Sequence, residues 1–311
     1  MKKLLSVVIP MYQEELVANI CYKRIKDVML NISKFDHELI FINDGSTDNT
    51  FQILKDISET DNSVKIINFA RNFGHQNAVT AGIFNANGDA IIIIDSDMQD
   101  PPELIPTMIE KWKEGFDVVY GTRDKRDGET FFKLFTAKYF YRFLDSISET
   151  TIPKDTGDFR LIDRSVANAF KDMPEHNRFI RGMFSWLGFN QTSVLYHRDE
   201  RVDGNSKYSL KKMLKLAFDG IISFSFAPLK LISILGLTTL LISLIMIILS
   251  ITLALRGVLI WFFWTSIIAC ILLTSGIQLI LIGIMGEYIG RIYDDSRKRP
   301  LYIIKDYINF D

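Results

Sequence analysis

Apolar runs alternate with segments of helical spacing through the first 120 or so residues. Leu5–Ile9, Glu38–Ile42, Val64–Phe69, Ala90–Ile94 and Val118–Tyr120 predict strands. These runs are nearly continuous in Val and Ile, the pattern of strands covered on both faces. Between them, Glu14–Asn31, Asp48–Glu59, Gln76–Ala86 and Pro102–Glu114 predict helices, the second opened by the turn Asp44-Gly45-Ser46-Thr47. The order predicts an α/β fold with a mostly parallel sheet.

A different pattern takes over after residue 230. Arg256 is the one charged residue between Leu231 and Gly286, so Leu231–Leu255 and Gly257–Gly286 are two uncharged runs. A helix needs about 20 apolar residues to cross a bilayer, and two spans are expected near 231–255 and 262–286. The short connector holds Trp261 and Trp264, residues that favour the membrane interface. Two buried core helices are the alternative. Lys207, Lys211, Lys212, Lys215 and Lys230 precede the pair, while Arg291, Arg297, Lys298 and Arg299 follow it. The positive-inside bias then places the polar part and both termini on the cytoplasmic side of a multi-pass membrane protein. Just before the pair, Leu210, Met213, Leu214, Ala217, Phe218, Ile221 and Ile222 recur at helical spacing with lysines opposite, as in a helix lying among lipid headgroups. A core-facing surface helix would look similar. The expected division is 1–206 α/β domain, 207–228 interface helix, 229–288 membrane pair and 289–311 cytoplasmic tail.

Composition adds mainly exclusions. The 311 residues carry 36 Lys and Arg against 37 Asp and Glu, for a net charge of −1. That balance gives no general affinity for nucleic acid, and the apolar content argues against disorder. Cys21 and Cys270 cannot build a disulfide framework or a Cys-x-x-Cys site. Lys2 and Lys3 precede an apolar run that stops at Pro10, too short for a signal peptide, so this run is read as the first strand.

Ligands of α/β sheets collect at the carboxyl ends of the strands. Here those ends carry Pro10, Tyr12 and Glu14; then Asn43-Asp44-Gly45-Ser46; Arg71-Asn72-Phe73-Gly74-His75-Gln76; Asp95-Ser96-Asp97-Met98-Gln99-Asp100; and Gly121-Thr122-Arg123. An Asp-x-Asp alone is ordinary turn chemistry, but five successive polar strand ends make a site. GxGxxG after the first strand and GxxxxGK[ST] are both missing from the sequence, which argues against a dinucleotide oxidoreductase and a P-loop ATPase. Paired carboxylates with an amide oxygen suit Mg²⁺ or Mn²⁺ shared with substrate phosphates. His75, His176 and His197 show no ligand spacing and are read as ordinary polar residues.

Ser6-Val7-Val8-Ile9-Pro10-Met11-Tyr12-Gln13-Glu14-Glu15, Asn43-Asp44-Gly45-Ser46, Arg71-Asn72-Phe73-Gly74, Asp95-Ser96-Asp97 and Asp155-Thr156-Gly157-Asp158-Phe159-Arg160 resemble the inverting family 2 glycosyltransferases of GT-A fold. The C-terminal apolar pair narrows the resemblance to the polyprenyl-phosphate sugar transferases, similar to bactoprenol glucosyltransferases and dolichol-phosphate mannose synthases. Asn43 stands where the family often has a second Asp, and Gln13 where Asn is common. The resemblance implies a UDP-sugar donor, a polyprenyl (undecaprenyl) phosphate acceptor, contact with membrane lipids and a divalent metal. It implies that Pro10, Tyr12, Glu14 and Asp44 hold base and ribose, with Arg71 near base or diphosphate and Gln76 and Ser96 in the same donor site. Asp95 and Asp97 would anchor ribose and metal, and Gln99 would complete the metal shell. Asp158 matches the acidic residue near the acceptor, with Asp155 beside it. A lipid phosphate with a second pKa of about 6 is largely an oxyanion already, so Asp158 is expected to position the acceptor or steady the developing sugar cation. The cations expected to receive the acceptor phosphate are Arg123, Arg160, Arg178, Arg181, Arg201 and Lys207. Relatives of this kind often assemble through their membrane helices, so a homo-oligomer is compatible.

Two rival readings are weaker. A processive polysaccharide synthase should show Gln-x-x-Arg-Trp and more spans, and the stretch from Arg178 to Trp186 lacks the motif. A non-catalytic membrane scaffold would not need Asp95, Asp97 and Asp158 intact.

Overall fold

The computed structural model describes residues 2–123, 156–197, 227–255 and 260–310. The elements in chain order are β1 (Leu4–Met11), α1 (Ala18–Leu30), β2 (Asp36–Asn43), α2 (Thr50–Thr60), β3 (Val64–Phe69), α3 (His75–Asn85), β4 (Ala90–Ile93), α4 (Ile105–Lys113), β5 (Val118–Arg123), β6 (Thr156–Asp163), α5 (Arg164–Lys171), α6 (Ile180–Trp186), β7 (Gln191–Tyr196), α7 (Ala227–Leu255), α8 (Ile260–Ser296) and β8 (Ile304–Ile308). One eight-stranded sheet runs in the order β7-β5-β6-β4-β1-β2-β3-β8. β6 is antiparallel to β4 and β5, and β8 is antiparallel to β3, while the remaining pairs are parallel.

The near-continuous apolar runs are explained by burial on two sides. Along β1, Val7 and Ile9 join a core with Cys21, Ile25 and Met29 of α1, Leu54 of α2 and Ile105 and Met108 of α4. Val8 points the other way, into a core with Val79 and Ile83 of α3, Val166 and Phe170 of α5 and Met183 of α6. Successive strand side chains face opposite sides, so both sets must be apolar.

The five predicted strands and four predicted helices are present with shifted ends. Glu14–Val17 form a turn before α1, in which the Glu14 carbonyl accepts from the amides of Val17 and Ala18 at 3.0 and 2.9 Å. Pro102–Leu104 form a 3₁₀ turn ahead of α4. β6, β7 and β8 were not expected. The last of these lies in the stretch read as a tail, yet it forms one edge of the domain's sheet.

α7 and α8 touch one another and carry exposed apolar side chains such as Leu237, Leu241, Leu279 and Ile282. Leu273–Ser296 is, among the described residues, the one segment long and apolar enough to cross a membrane by length and composition, and Ile234–Met246 is a shorter apolar stretch. The sequence predicts two spans, whereas among the described residues one segment meets both the length and the composition of a span. The expected interface helix at 207–228 lies outside the described residues.

The approach of α3 to the sheet rests on one glycine. A Cβ on Gly82 would stand 2.2 Å from Val8 Cγ1 and 2.9 Å from Ile42 Cδ1. Gly82→Ala should therefore destabilise the domain by about 1–3 kcal/mol through overpacking. Thermal unfolding of the full-length protein in detergent should show a lower Tm, and an unchanged Tm would mean that α3 can stand off from β1.

Candidate active site

The carboxyl ends of the parallel strands are locked together by loop-to-loop hydrogen bonds. Gly45 sits at φ 64°, and a Cβ there would lie 2.3 Å from the Arg71 carbonyl carbon, so the loop after β2 can lie flat on the loop after β3 only with glycine. Asp44, 3% exposed, accepts from the amides of Phe73 at 2.7 Å and Gly74 at 3.0 Å. Its carboxylate thus satisfies donors at the start of α3 that have no partner within the helix. The loop after β1 joins the set through Gln13 N–H to Ser46 Oγ at 3.0 Å and Glu14 N–H to Thr50 Oγ1 at 2.9 Å. Gln13 and Met98 both adopt left-handed backbone, with φ 55° at each. At Met98 the conformation belongs to a turn closed by the Gln99 amide donating to Asp97 Oδ1 at 3.2 Å, and the Met98 side chain is fixed in the core.

A charged group forms where α3 starts. Because β6 runs against its neighbours, its first residues reach the edge where β4 and β5 end, and this brings Asp158 beside Asp95. Arg181, from α6, donates Nε to Asp158 Oδ1 at 2.6 Å. The imidazole of His75, the first residue of α3, lies 3.1 Å from Asp158 Oδ2 and 3.6 Å from Asp95 Oδ1. Burial alone would raise the Asp158 carboxyl, but Arg181 and His75 outweigh it and hold the group well below the usual carboxylate range. Burial pulls His75 down, but Asp95 and Asp158 lift its pKa to about 9. At neutral pH it is an imidazolium between two carboxylates. Asp95, unlike Asp158, is raised: burial raises it, and the charges of Asp158, Asp100 and Asp97 add to the rise against His75.

The ligand atoms of His75, Asp95 and Asp158 lie within 4.8 Å of one another. Asp95 Oδ1 is buried and has no hydrogen-bond partner, so a carboxylate oxygen stands ready for a cation. Both carboxylates suit Mg²⁺ or Mn²⁺; His75 would first have to give up its proton. Asp95 belongs both to this group and to the predicted set of Asp95, Asp97 and Gln99.

The other predicted residues divide by environment. Pro10 is the last residue but one of β1, and Tyr12, 39% exposed, sits just beyond the strand. Ser96 is buried beside Asp95. Arg71 is exposed, donates to the Asn72 carbonyl at 3.0 Å and lies 4.0 Å over the Phe73 ring. Gln76 spends its side-chain oxygen on the Ile180 amide at 2.9 Å, so it fastens α6 to α3. Two of the arginines expected to bind phosphate turn toward the main chain. Arg160 is buried, donates to the carbonyls of Asp158 at 3.3 Å and Gly157 at 3.1 Å, and lies 5.1 Å over Phe184. Arg178 is also buried, donating to the carbonyls of Glu175 and Met173 and facing Phe84 and Phe170. Both donate to backbone carbonyls, with Nη1 of Arg178 left buried without a hydrogen-bond partner among the described residues, whereas Arg181 reaches the Asp158 carboxylate. Arg123 ends β5 opposite Tyr196. Asp155, Arg201 and Lys207 lie outside the described residues.

His75 corrects the reading of the histidines, at least for this one. Its partners come from the loop after β4 and from β6, so no short spacing announces it. The available signal was its position at the head of a helix directly after a strand end.

The α/β domain gathers carboxylates, a histidine and an arginine at the carboxyl edge of its sheet, where sheets of this kind bind ligands, and it is joined to long apolar helices. Residues 6–170 match the model of glycosyl transferase family 2, and the chain belongs to that family. It is 53% identical over 306 residues to the uncharacterized glycosyltransferase YkcC of Bacillus subtilis (strain 168), covering 96% of this chain and 93% of that one. It is 41% identical over 308 residues to the bactoprenol glucosyl transferase of Shigella phage SfV, covering 97% and 98% of the two chains. A prophage bactoprenol glucosyl transferase homolog of Escherichia coli (strain K12) is likewise 41% identical over 307 residues, covering 97% and 98%. Among solved structures, glucosyl-3-phosphoglycerate synthase of Mycobacterium tuberculosis in complex with Mn²⁺, UDP and phosphoglyceric acid aligns at TM-score 0.48 and 16% identity, covering 71% of this chain and 76% of that one, a likeness too distant to bear on chemistry.

The charge group makes a direct prediction. In metal-free protein the His75 imidazole should titrate near pH 9, and Asp95→Asn, by removing an anion that favours the charged ring, should move that midpoint down. NMR titration of the ring protons checks this; an unmoved midpoint would remove Asp95 as a partner.

Proposed function

We propose that the protein is a metal-dependent inverting glycosyltransferase. It moves one sugar from a UDP-sugar, UDP-glucose foremost, to undecaprenyl or another polyprenyl phosphate at the cytoplasmic membrane face and releases UDP. The observation that carries this reading is the near-full-length similarity, 41% over 308 residues, to a protein named bactoprenol glucosyl transferase. The similarity spans the apolar helices as well as the α/β domain. UDP-GlcNAc, UDP-galactose and GDP-mannose are the competing donors. In this reading the apolar pair α7 and α8 crosses the bilayer twice and keeps the sheet edge close to a lipid phosphate.

The protein's own residues support a transfer that needs little proton movement. The acceptor phosphate, with a second pKa of about 6, is mostly ionised at neutral pH. Asp158 has both oxygens paired and a depressed pKa, so it is a poor proton acceptor. Its part is to hold Arg181 and His75 as fixed cations beside the reacting phosphates, where a preorganised charge is most effective. Asp95 would hold the divalent cation, with Asp97 and Gln99 completing the donor set. When bound, that cation offsets charge on the departing diphosphate.

Purified full-length protein with radiolabelled UDP-glucose, undecaprenyl phosphate and Mn²⁺ should form a chloroform-soluble glycolipid. EDTA should abolish the product, and Asp97→Asn should lower turnover at every Mn²⁺ concentration. No product with any of the four donors would overturn the proposal, and full activity in EDTA would overturn its metal requirement.

A further inference from the structure

The last strand brings a carboxylate to a place that the site chemistry leaves unexplained. Asn43, Asn68 and Asp306 are register partners across β2, β3 and β8. Their side chains form one hydrogen-bonded row. Asn43 Nδ2 donates to Asn68 Oδ1 at 2.8 Å, and Asn68 Nδ2 donates to Asp306 Oδ2 at 2.7 Å. At its inner end the row meets the loop after β2, where the Ser46 amide donates to Asn43 Oδ1 at 3.4 Å. Ser46 Oγ in turn accepts from the Gln13 amide at 3.0 Å.

The row has a direction, and Asp306 sets it. An ionised carboxylate only accepts, whereas an asparagine amide can face either way. With Asp306 at the outer end, Asn68 must turn its NH₂ outward and its oxygen inward. Asn43 must then present its NH₂ to Asn68 and its oxygen to the Ser46 amide. Asn43 and Asn68 are 1% and 6% exposed, so a wrong orientation would leave buried donors or acceptors unmatched. β8 is well fixed for this role. Tyr302, just before it, stacks on Phe69 at 5.0 Å, and Asn309, just after it, donates to the carbonyls of Ser58 and Val64 at 3.0 and 2.9 Å.

We infer that Asp306 is a positioning residue for the donor nucleotide: through Asn68 and Asn43 it holds the loop after β2, and through Ser46 and Gln13 the loop after β1, in the conformation that receives base and ribose. This rests on the proposed donor site, because those two loops carry Tyr12, Glu14 and Asp44. It assigns the C-terminal strand, beyond the apolar helices, to the donor side of the reaction.

The test is to reverse the row. Asn43→Asp keeps an oxygen for the Ser46 amide but places an acceptor against Asn68 Oδ1, and if Asn68 turns over, its oxygen meets Asp306. Losing one such hydrogen bond should weaken binding of UDP with Mn²⁺ about fivefold by calorimetry on the full-length protein. Asp306→Asn alone keeps an acceptor for Asn68 and should stay within about twofold of wild type. The double variant N43D/D306N lets every amide turn over, so affinity should return to within about twofold of wild type. The KM for the UDP-sugar should follow the same order while kcat and the acceptor KM stay level. A double variant as weak as N43D, or N43D with no loss, overturns the row. A uniform fall in kcat in place of a donor effect assigns it to stability and overturns it also. If wild type binds no UDP, the proposed function falls with it, whereas binding by wild type with additive losses sinks the row alone.

Discussion

A buried carboxylate needs charge partners, and Asp158 draws its two from different parts of the chain. Arg181 arrives on α6, His75 on the first turn of α3, and Asp158 itself on the one strand that runs backwards between β4 and β5. Stripping both cations from Asp158 would leave an uncompensated buried charge, a loss of about 3–5 kcal/mol. The charge requirement therefore fixes where three elements end. Gln76, next to His75, fastens the start of α6 with its side-chain oxygen, and Asp44 satisfies the amides just ahead of His75. One helix start thus sets the position of the acidic group, the basic group and the loop expected to face the nucleotide.

How much of this the sequence disclosed depended on burial pattern. β1 to β4 are covered on both faces and read as solid apolar runs. β6 reads Thr-Gly-Asp-Phe-Arg-Leu-Ile-Asp, because its first half carries Asp158 into the site and Arg160 beneath it. β8 alternates partly buried and exposed residues along its length, as an edge strand with one covered face does. Short alternating strands with charges inside them carry little signal on their own. The site was legible wherever its residues follow a strand end, as Asp44, Asp95 and Asp97 do. It was not legible in His75, whose meaning comes from neighbours that only folding supplies.

The arginines make the same point about chemistry. By residue type, Arg160, Arg178 and Arg181 are equal candidates for binding a phosphate. In the fold, burial pushes Arg160 down to about 10, with Asp158 opposing and Arg181 adding to the shift. Its guanidinium donates to main-chain carbonyls, as does that of Arg178, whose Nη1 is left buried without a hydrogen-bond partner among the described residues. Of the three, Arg181 alone pairs its side chain with the Asp158 carboxylate, and that side chain is 28% exposed. A guanidinium is suited to phosphate in general; its depth in the protein decides whether it can meet one.

β8 also changes what counts as the catalytic domain. A chain cut before the apolar helices, the usual route to a soluble fragment, would lose β8 and uncover the outer edge of β3. The unpaired amides and carbonyls of that edge would invite pairing with other chains. It would also strip Asn68 of its outward acceptor. A faithful version without the helices would have to remove them from the middle and rejoin Arg297 onward to the domain, which makes the apolar pair an insertion within the sheet's chain instead of an appendage at its end.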